Sequence, residues 1–424
     1  MTARAALAAL VLAIAASAQD APREAKAPPG FRARAGAPAA FRPRVGALAV
    51  LSSGSLAVGT LDPTGAVYLV ALPMDKTVDG EAAHVTRAGA GFDRPCAIAS
   101  SHVVCHVLSH PEVTTLDIRA DLQGAMMTSR YATRCAAWPA DRQAPAGMAM
   151  VRNRLYVALA PIDRSASGAG IVLEVHADTG KHREVATGLD LPGEVAAGPH
   201  DQVVLVERTG DAPARLVVLA PDPTSDGPTR RAVAWRGVRP EVRIASLAAF
   251  AGVVHRGQLV ATDERSGRLW RIALEGEDGA RQGALMPYGE TDAPAGCRIA
   301  CGPACRIHLG DPAGGPLVLL EPLVADPFEI ALARATGPQE LEVELTERLA
   351  DGFEPSARSW TVRGADGGTI EVVTARTVGD RRIALGLAAP LARPCVVSIE
   401  LTEPLADHRG VACATPWVEL FVGE

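Results

Sequence analysis

The sequence predicts an all-β protein in which a six-bladed β-propeller is followed by an immunoglobulin-like β-sandwich. The first observation is a repeated unit of short apolar runs bounded by Gly, Pro and Asp, which is the pattern of β-strands. The second is its period, because the strongest runs begin about 47–55 residues apart, the spacing of a four-stranded blade with long loops. The third is that this period stops near Pro322. The strongest runs are Ser55–Thr60, His102–Val107, Arg154–Ala160, Gln202–Glu207, Gly257–Asp263 and Ala304–Gly310.

A shorter apolar run and a turn precede each of these strongest runs, so that the two form the first and second strands of one blade. The first-strand runs are Leu48–Leu51, Cys96–Ser100, Gly147–Val151, Val195–Gly198, Leu247–Ala251 and Cys297–Ala300. Third strands are predicted at Val172–His176, Arg215–Leu219 and Gly267–Leu274. Closure of six such units into a ring protects the sheet edges. We therefore predict a propeller over residues 28–325, with a sandwich or several unrelated β-domains as the alternative.

Residues 328–424 carry shorter alternating runs at closer spacing. Strands separated by turns every 8–15 residues or so are typical of an immunoglobulin-like sandwich. The runs are Phe328–Arg334, Glu340–Leu345, Trp360–Val362, Thr369–Ala375, Arg382–Leu387, Val396–Leu401 and Val418–Val422.

Residues 1–18 have the features of an export signal. Arg4 precedes the apolar run Ala5–Ala15, and Ala16–Ala18 has the small residues of a cleavage site. Residues 19–27 are predicted to be a linker. No later run reaches the ~18 apolar residues that a membrane-spanning helix requires. We expect a mature protein in the periplasm or outside the cell, with no transmembrane segment.

Composition limits the partners and the core. The formal net charge of −6 argues against a nucleic-acid-binding face, which requires clustered basic residues. The chain is 48% hydrophobic but only 4% aromatic, so small side chains, Ala above all, are expected to fill most of the core.

The eight cysteines of an exported chain favour disulfides. Cys395 and Cys413 are the two in the predicted sandwich and are expected to pair. Cys96 and Cys105 lie on consecutive predicted strands and are expected to face each other. The spacing of Cys297, Cys301 and Cys305 matches no common metal-binding pattern, so no metal site is predicted, and the connectivity of these three and Cys135 stays open.

Several short motifs, taken in order, resemble those of exported glucose/sorbosone dehydrogenase-like propellers, the planctomycete-type membrane-bound dehydrogenases. Pro28–Phe31 is similar to the opening of that family, Thr187–Gly193 to its repeated blade signature, and Phe328–Ile330 to the start of its sandwich. Further similar stretches are Phe92–Cys96, Glu112–Leu116, Arg208–Asp211, Gly257–Asp263 and Gln282–Pro287. The resemblance covers nearly all of residues 28–424.

The resemblance implies oxidation of a sugar or polyol with pyrroloquinoline quinone and Ca²⁺, the electrons passing to a separate carrier. Two departures weigh against this chemistry. Where the family has an acidic run suited to Ca²⁺, this chain has Asp117–Gly124, with two carboxylates and Arg119 between them. The chain also has no Cys-x-x-Cys-His motif for covalent haem, and so lacks the cytochrome c module of many members.

Five polar residues are candidates for binding a cofactor at the mouth of the central channel, because they lie at or just beyond the ends of predicted second strands. The alternative is that they are solvated turn charges. No histidine is marked as a catalytic base, and the catalytic residues stay unknown. His102, His106 and His110 are too far apart along a strand to share one metal ion, and are predicted to lie on a solvated strand face. The five candidates are Glu207, Arg208, Asp211, Asp263 and Arg265.

Two functions of different classes remain from the sequence. One is a quinone-dependent sugar dehydrogenase. The other is a non-catalytic propeller that binds a glycan or a protein partner. One propeller scaffold hosts many activities, so the residues of the site must decide between them.

Overall fold

The computed structural model describes most of the chain from residue 26 onward. The described residues are 26–63, 65–71, 83–100, 104–118, 132–138, 141, 143–209, 214–220, 230–236, 242–250, 255, 257–275, 282–323 and 327–423. The predicted signal peptide, nearly all of the predicted linker, and Asp211 lie outside them.

The described part of the chain is built from β-strands joined by turns, three of which are single 3-10 turns, and it holds no α-helix. In these residues no helix has the length and apolarity needed to cross a membrane. The prediction of an all-β protein is confirmed.

Most of the strands form four-stranded antiparallel sheets, which we call sheets I to VI. Sheet I contains β2 (Val45–Val50), β3 (Leu56–Thr60), β4 (Ala66–Ala71) and β5 (His84–Ala90). Sheet II contains β6 (Ala97–Ser100), β7 (Val104–Ser109), β8 (Glu112–Asp117) and β9 (Ala132–Ala137). Sheet III contains β10 (Gln143–Val151), β11 (Arg154–Pro161), β12 (Gly170–His176) and β13 (His182–Leu189).

The remaining three follow the same order along the chain. Sheet IV contains β14 (Leu191–Ala197), β15 (Val203–Arg208), β16 (Arg215–Ala220) and β17 (Arg230–Arg236). Sheet V contains β18 (Ile244–Ala249), β19 (Leu259–Asp263), β20 (Arg268–Glu275) and β21 (Gln282–Glu290). Sheet VI contains β22 (Arg298–Cys301), β23 (Ile307–Gly310) and β24 (Val318–Pro322), and β1 (Phe31–Ala35) adds to it as the outer strand.

The sheets close into a ring, the arrangement of a β-propeller. The first strand of each sheet contacts the first strand of the next, and β22 of sheet VI returns to β2 of sheet I. The closure is completed by β1, which pairs antiparallel with β24 from Phe31↔Pro322 to Ala35↔Val318. Every gap between neighbouring sheets is filled by a cluster of buried apolar side chains.

The first strands approach one another closely because their residues are small. Gly147 of β10 is one point of contact: a Cβ added there would lie 2.6 Å from the carbonyl oxygen of Gly193 in β14. Any side chain at this position would force the inner strands of sheets III and IV apart.

Two further sheets follow the ring. One has the order β25 (Ile330–Gly337), β26 (Glu340–Leu345), β30 (Arg382–Leu387) and β29 (Val372–Thr377). The other has the order β28 (Thr369–Ile370), β27 (Trp360–Gly364), β31 (Cys395–Leu401) and β32 (Trp417–Val422). Their facing sides share one apolar core, which also takes in Ala273, Ala284 and Met286 of sheet V.

The second of these sheets is continuous with sheet V. β32 pairs antiparallel with β21 from Gln282↔Val422 to Leu285↔Glu419, which gives an eight-stranded sheet. A buried ion pair reinforces the junction: Arg271 Nη1 lies 3.0 Å from Glu329 Oε2, with both side chains at most 2% exposed. The C-terminal sheets are therefore a direct extension of the ring.

The two predicted disulfides are not formed, since Cys96, Cys105, Cys395 and Cys413 are free thiols in the structure. Strand register explains the first. Cys105 pairs with Ser100, whereas Cys96 precedes β6 and its N–H bonds to Leu108, three residues beyond Cys105. That separation is about 10 Å along a strand, beyond the Cα distance of about 7 Å that a disulfide allows.

Register also separates the second pair. Cys395 pairs with Val422 at one end of the β31–β32 hairpin. Cys413 lies beyond the other end, where Glu400 pairs with Trp417 and the N–H of Cys413 bonds to Leu405. The spacing of two cysteines in the sequence does not show which end of a hairpin each one occupies.

Candidate functional site

The first strands of the sheets surround a central channel with a cavity volume of about 220 Å³. Most of its lining is small or apolar, as in the Ala-rich stretches Ala47–Val50 and Ala97–Ser100. The other stretches that line it are Met148–Met150, Glu194–Ala197, Ser246–Ala249 and Arg298–Cys301.

Two charged side chains face each other across this channel. Arg298 Nη1 donates to Glu194 Oε1, with side-chain exposures of 26% and 13%. Glu194 lies where the register of β14 against β15 shifts, between Pro192 and Val195. Such a bulge changes the direction of a side chain, and this one lies at Glu194, which lines the channel. Arg298 is the first residue of β22.

Burial and charge act in opposite directions on this carboxyl group. Desolvation raises the pKa of Glu194, and the positive charges of Arg298 and Arg208 lower it in part. The ionised glutamate therefore depends on its arginine neighbours.

A second ion pair lies beside the first. Arg208, at the end of β15, donates from Nη2 to the carbonyl of Ile244 at 2.8 Å, and its Nη1 lies 3.4 Å from Glu264 Oε1. Arg208 is thus a sequence-predicted residue that the structure places near the channel. We call Glu194, Arg208, Glu264 and Arg298 the channel mouth.

Cys96 and Ser246 also line the channel but are held by structural hydrogen bonds. Burial raises the pKa of Cys96 to about 12, and its Sγ donates to the carbonyl of Leu108 at 3.7 Å. The Oγ of Ser246 accepts from the N–H of Ile299 at 3.3 Å. A thiol with this pKa is not a nucleophile at neutral pH.

Glu207 is not part of the channel lining, because its side chain is fully buried within sheet IV. Arg215 donates to it twice, from Nε to Oε2 and from Nη2 to Oε1, each at 2.9 Å. The N–H of Asp190 donates to Oε1 at 3.0 Å. These contacts hold β15, β16 and the preceding loop together.

Asp263 is likewise buried, and it organises the turn after β19. Its Oδ1 accepts from the N–H of Arg265 and from Ser266 Oγ, both at 2.9 Å. Its Oδ2 accepts from Trp270 Nε1 at 3.2 Å. Arg265 itself is exposed, and Asp211 lies outside the described residues. Neither Asp263 nor Arg265 lines the cavity.

The prediction of a solvated face for the evenly spaced histidines is wrong for His106. This side chain is 3% exposed, and its Nδ1 lies 3.0 Å from Thr115 Oγ1 on the paired strand β8. Burial lowers the pKa of His106 to about 4. His102 lies outside the described residues.

Within the described ranges, no group of three or more His, Cys, Asp or Glu side chains is placed to hold a metal ion. The oxygen-rich loop implied for Ca²⁺ would fall mainly at residues 119–124, outside those ranges.

The sequence prediction missed Glu194 and Arg298, although a signal for them exists. The channel stretches align as Ala-Leu-Ala-Val, Glu-Val-Ala-Ala, Ser-Leu-Ala-Ala and Arg-Ile-Ala-Cys, beginning at residues 47, 194, 246 and 298. A charged residue at the first position of a first-strand run thus marks a side chain that reaches the channel.

Comparison with known proteins finds similarity to solved structures alone. No family model and no curated protein match this chain. Among solved structures, the PQQ-bound aldose sugar dehydrogenase of Streptomyces coelicolor is similar over 70% of this chain and 99% of that chain, with 17% identity and a TM-score of 0.46. A gluconolactonase of Xanthomonas campestris is similar over 69% of this chain and 90% of that chain, with 13% identity and a TM-score of 0.45. At these values the similarity carries no argument about substrate or cofactor.

Proposed function

We propose that the ring is a six-bladed β-propeller and that the two C-terminal sheets form an immunoglobulin-like sandwich. The strand order of the sandwich supports this. With β25, β26, β27, β29, β30, β31 and β32 as strands A to G, and β28 as an additional edge strand beside C, the two sheets are ABED and CFG, the constant-type arrangement. The features of residues 1–18 support export to the periplasm or the medium.

We propose that this propeller binds a sugar or a sugar-derived ligand at the channel mouth. The observation that carries the proposal is the pair Glu194–Arg298, a carboxylate and a guanidinium set across a lining that is otherwise small and largely apolar. Ligand sites combine apolar walls with a few well-placed polar groups in this way.

The chemistry of the pair suits vicinal hydroxyl groups. A carboxylate accepts hydrogen bonds from two hydroxyls, and a guanidinium donates several in a fixed plane. The Arg298 side chain is 26% exposed, so part of it stays accessible to a ligand beside its bond to Glu194. Arg208, whose charge acts on Glu194, adds a second ion pair with Glu264.

The size of the channel favours a ligand at the mouth rather than inside. The cavity of about 220 Å³ is smaller than the roughly 300–1,000 Å³ of pockets that enclose a small-molecule ligand. A sugar ring would rest on the rim with one edge directed at Glu194 and Arg298.

The residues at the mouth do not fit a carboxylated quinone cofactor. The arginines that would bind its carboxylates, Arg208 and Arg298, are each paired with a glutamate, and a second anion would compete with that partner. The quinone-dependent dehydrogenase is therefore the less favoured function, and we derive no catalytic step from it.

The proposal is tested by calorimetric titration of the purified protein with neutral monosaccharides, sugar acids and short oligosaccharides. A parallel titration uses pyrroloquinoline quinone with and without Ca²⁺. We expect saturable binding of at least one sugar, weakened about tenfold or more in Arg298→Gln, since a hydrogen bond to a charged group is lost.

Arg268→Gln is the matched control, because Arg268 forms an exposed ion pair with Glu290 on sheet V, away from the channel. Binding should be unchanged in this variant. Equal loss in both variants, or no sugar binding by folded protein, would contradict the proposal. Saturable, calcium-dependent binding of the quinone would favour the dehydrogenase instead.

A further inference from the structure

The outer part of sheet VI gathers three arginine side chains around one carboxylate. Arg32 and Arg34 are two residues apart on β1 and so share one face. Glu321 pairs directly with Arg32 across β1 and β24, and Arg306 lies immediately before β23. We call these four residues the arginine cluster.

Both oxygens of Glu321 are used by these arginines. Its Oε2 lies 3.0 Å from Arg32 Nη2 and 3.0 Å from Arg34 Nε, and its Oε1 lies 3.7 Å from Arg306 Nη2. Since three guanidinium groups meet one carboxylate, the cluster holds two positive charges in excess.

The exposures show where that excess charge is directed. The carboxylate is 13% exposed and forms the base, whereas the side chains of Arg32, Arg34 and Arg306 are 49%, 19% and 35% exposed. Like charges a few Å apart repel, most strongly where protein replaces water on one side. A further anion at the solvent side would remove this repulsion.

A buried polar side chain lies on the same face. His308 pairs with Leu319, two residues from Glu321 on β24, and is 2% exposed. Its Nδ1 has no hydrogen-bond partner in the described structure. Burial and the charge of Arg306 lower the pKa of His308 to about 4, so the ring is neutral at pH 7 and does not add to the cationic charge.

We propose that the arginine cluster is a binding site for an oxyanion: a sulfate, phosphate or carboxylate group that supplies the negative charge Glu321 alone does not provide. Guanidinium groups match such anions through pairs of parallel N–H···O bonds. This site is on the outer strands of sheet VI and is separate from the channel mouth, so the two proposals stand or fall independently.

The test is thermal unfolding and calorimetric titration of the full chain with sodium sulfate, sodium phosphate and sodium galacturonate, each against sodium chloride at equal ionic strength. A sulfated and a uronate-containing oligosaccharide form further arms, which distinguish a free inorganic ion from an acidic glycan. We expect saturable stabilisation by at least one oxyanion that chloride does not reproduce, and weaker binding at high salt.

Substitutions of the arginines and of the glutamate are expected to have effects of opposite sign. Arg34→Gln or Arg306→Gln should weaken binding about tenfold, because one guanidinium is lost. Glu321→Gln should strengthen binding, because it removes the competing carboxylate. Arg376→Gln, in the exposed pair with Glu340 on the C-terminal sheets, is the control of equal charge and should leave binding unchanged.

The result that overturns the proposal is equally specific. Oxyanions that stabilise the protein no more than chloride would exclude the site. Equal weakening in Arg376→Gln would show a general effect of net charge. Weaker binding in Glu321→Gln would show that Glu321 does not compete with the anion for the arginines.

Discussion

At the scale of single residues, neighbours in the sequence have separate roles because successive side chains of a strand point to opposite faces. Glu207 is buried against Arg215, whereas Arg208 extends to Ile244 and Glu264 beside the channel. The end of a strand could be predicted from the turn residues that follow it. The face of each side chain could not, since a shift of one residue exchanges the two faces.

The pair Glu207–Arg215 gives a prediction at this scale. Glu207→Gln removes the charge from a fully buried side chain and leaves Arg215 with weaker acceptors. Because breaking a buried ion pair costs several kcal/mol, we expect the free energy of unfolding to fall by about 3 kcal/mol. Urea unfolding measures it.

Glu290→Gln is the control for that measurement, because its partner Arg268 and Glu290 itself are both about half exposed. An exposed pair contributes at most about 1 kcal/mol. A similar small effect for Glu207→Gln would show that the buried pair contributes little to stability.

At the scale of elements, the sequence predicted the strands and their grouping into sheets well, but not the register in which they pair. Each of the predicted first and second strands has a counterpart in sheets I to VI, because apolar runs and turn residues are local signals. The Cys96–Cys105 and Cys395–Cys413 disulfides were predicted wrongly, because register depends on contacts between strands.

The attachment of β25 to sheet V gives a prediction for an element. The side chain of Gln282 in β21 donates from Nε2 to the carbonyl of Ala335 in β25 at 3.0 Å. Its Oε1 accepts from the backbone N–H of Ala335 at 2.6 Å. Gln282→Ala should lower the free energy of unfolding by about 1–2 kcal/mol and speed hydrogen exchange in β25. Mass spectrometry of peptides spanning residues 330–337 measures the exchange.

Gln143→Ala serves as the comparison, since Gln143 of sheet III donates to the carbonyl of Ala169 in the connection between β11 and β12, remote from β25. Exchange in β25 should not change in this variant. If both variants speed exchange equally, the effect is on global stability and the two bonds of Gln282 do not anchor β25.

At the scale of the whole molecule, the repeat predicted a ring, while the junction between the ring and the two C-terminal sheets was not predicted. Closure by β1 follows from a chain whose last repeat lacks an outer strand. The pairing of β21 with β32 and the buried contact of Arg271 with Glu329 join distant parts of the chain. No local pattern marks such a contact, since an edge strand that pairs has the same alternation as one that does not.

Histidines are buried at several separate places in the molecule, and they predict how its stability changes at acid pH. Burial lowers the pKa of His106 in sheet II and of His308 in sheet VI to about 4, and that of His255 beside Arg271 to about 3. The unfolded chain binds these protons from about pH 6.5 downward, but the folded chain does not. The stability that the neutral histidines contribute is therefore complete above pH 6.5 and is lost as the pH falls towards 4.

Two glutamates act in the opposite direction. Glu194 and Glu329 have raised pKa values, so the stability that they contribute falls as the pH rises above 4.5.

Substitution separates these opposing effects. His106→Gln keeps a hydrogen-bond partner for Thr115 and removes the titrating group. Between pH 7 and pH 5 the wild type should therefore lose about 2 kcal/mol more unfolding free energy than the variant does. This value follows from about 1.36 kcal/mol for each unit by which the pKa is shifted. Urea unfolding at the two pH values measures the difference. His182→Gln, at an exposed position of β13, should leave the pH dependence unchanged. Equal pH dependence in the wild type and His106→Gln would mean that His106 takes up a proton in the folded protein as readily as in the unfolded chain, and its burial against Thr115 would then not exclude the charged form.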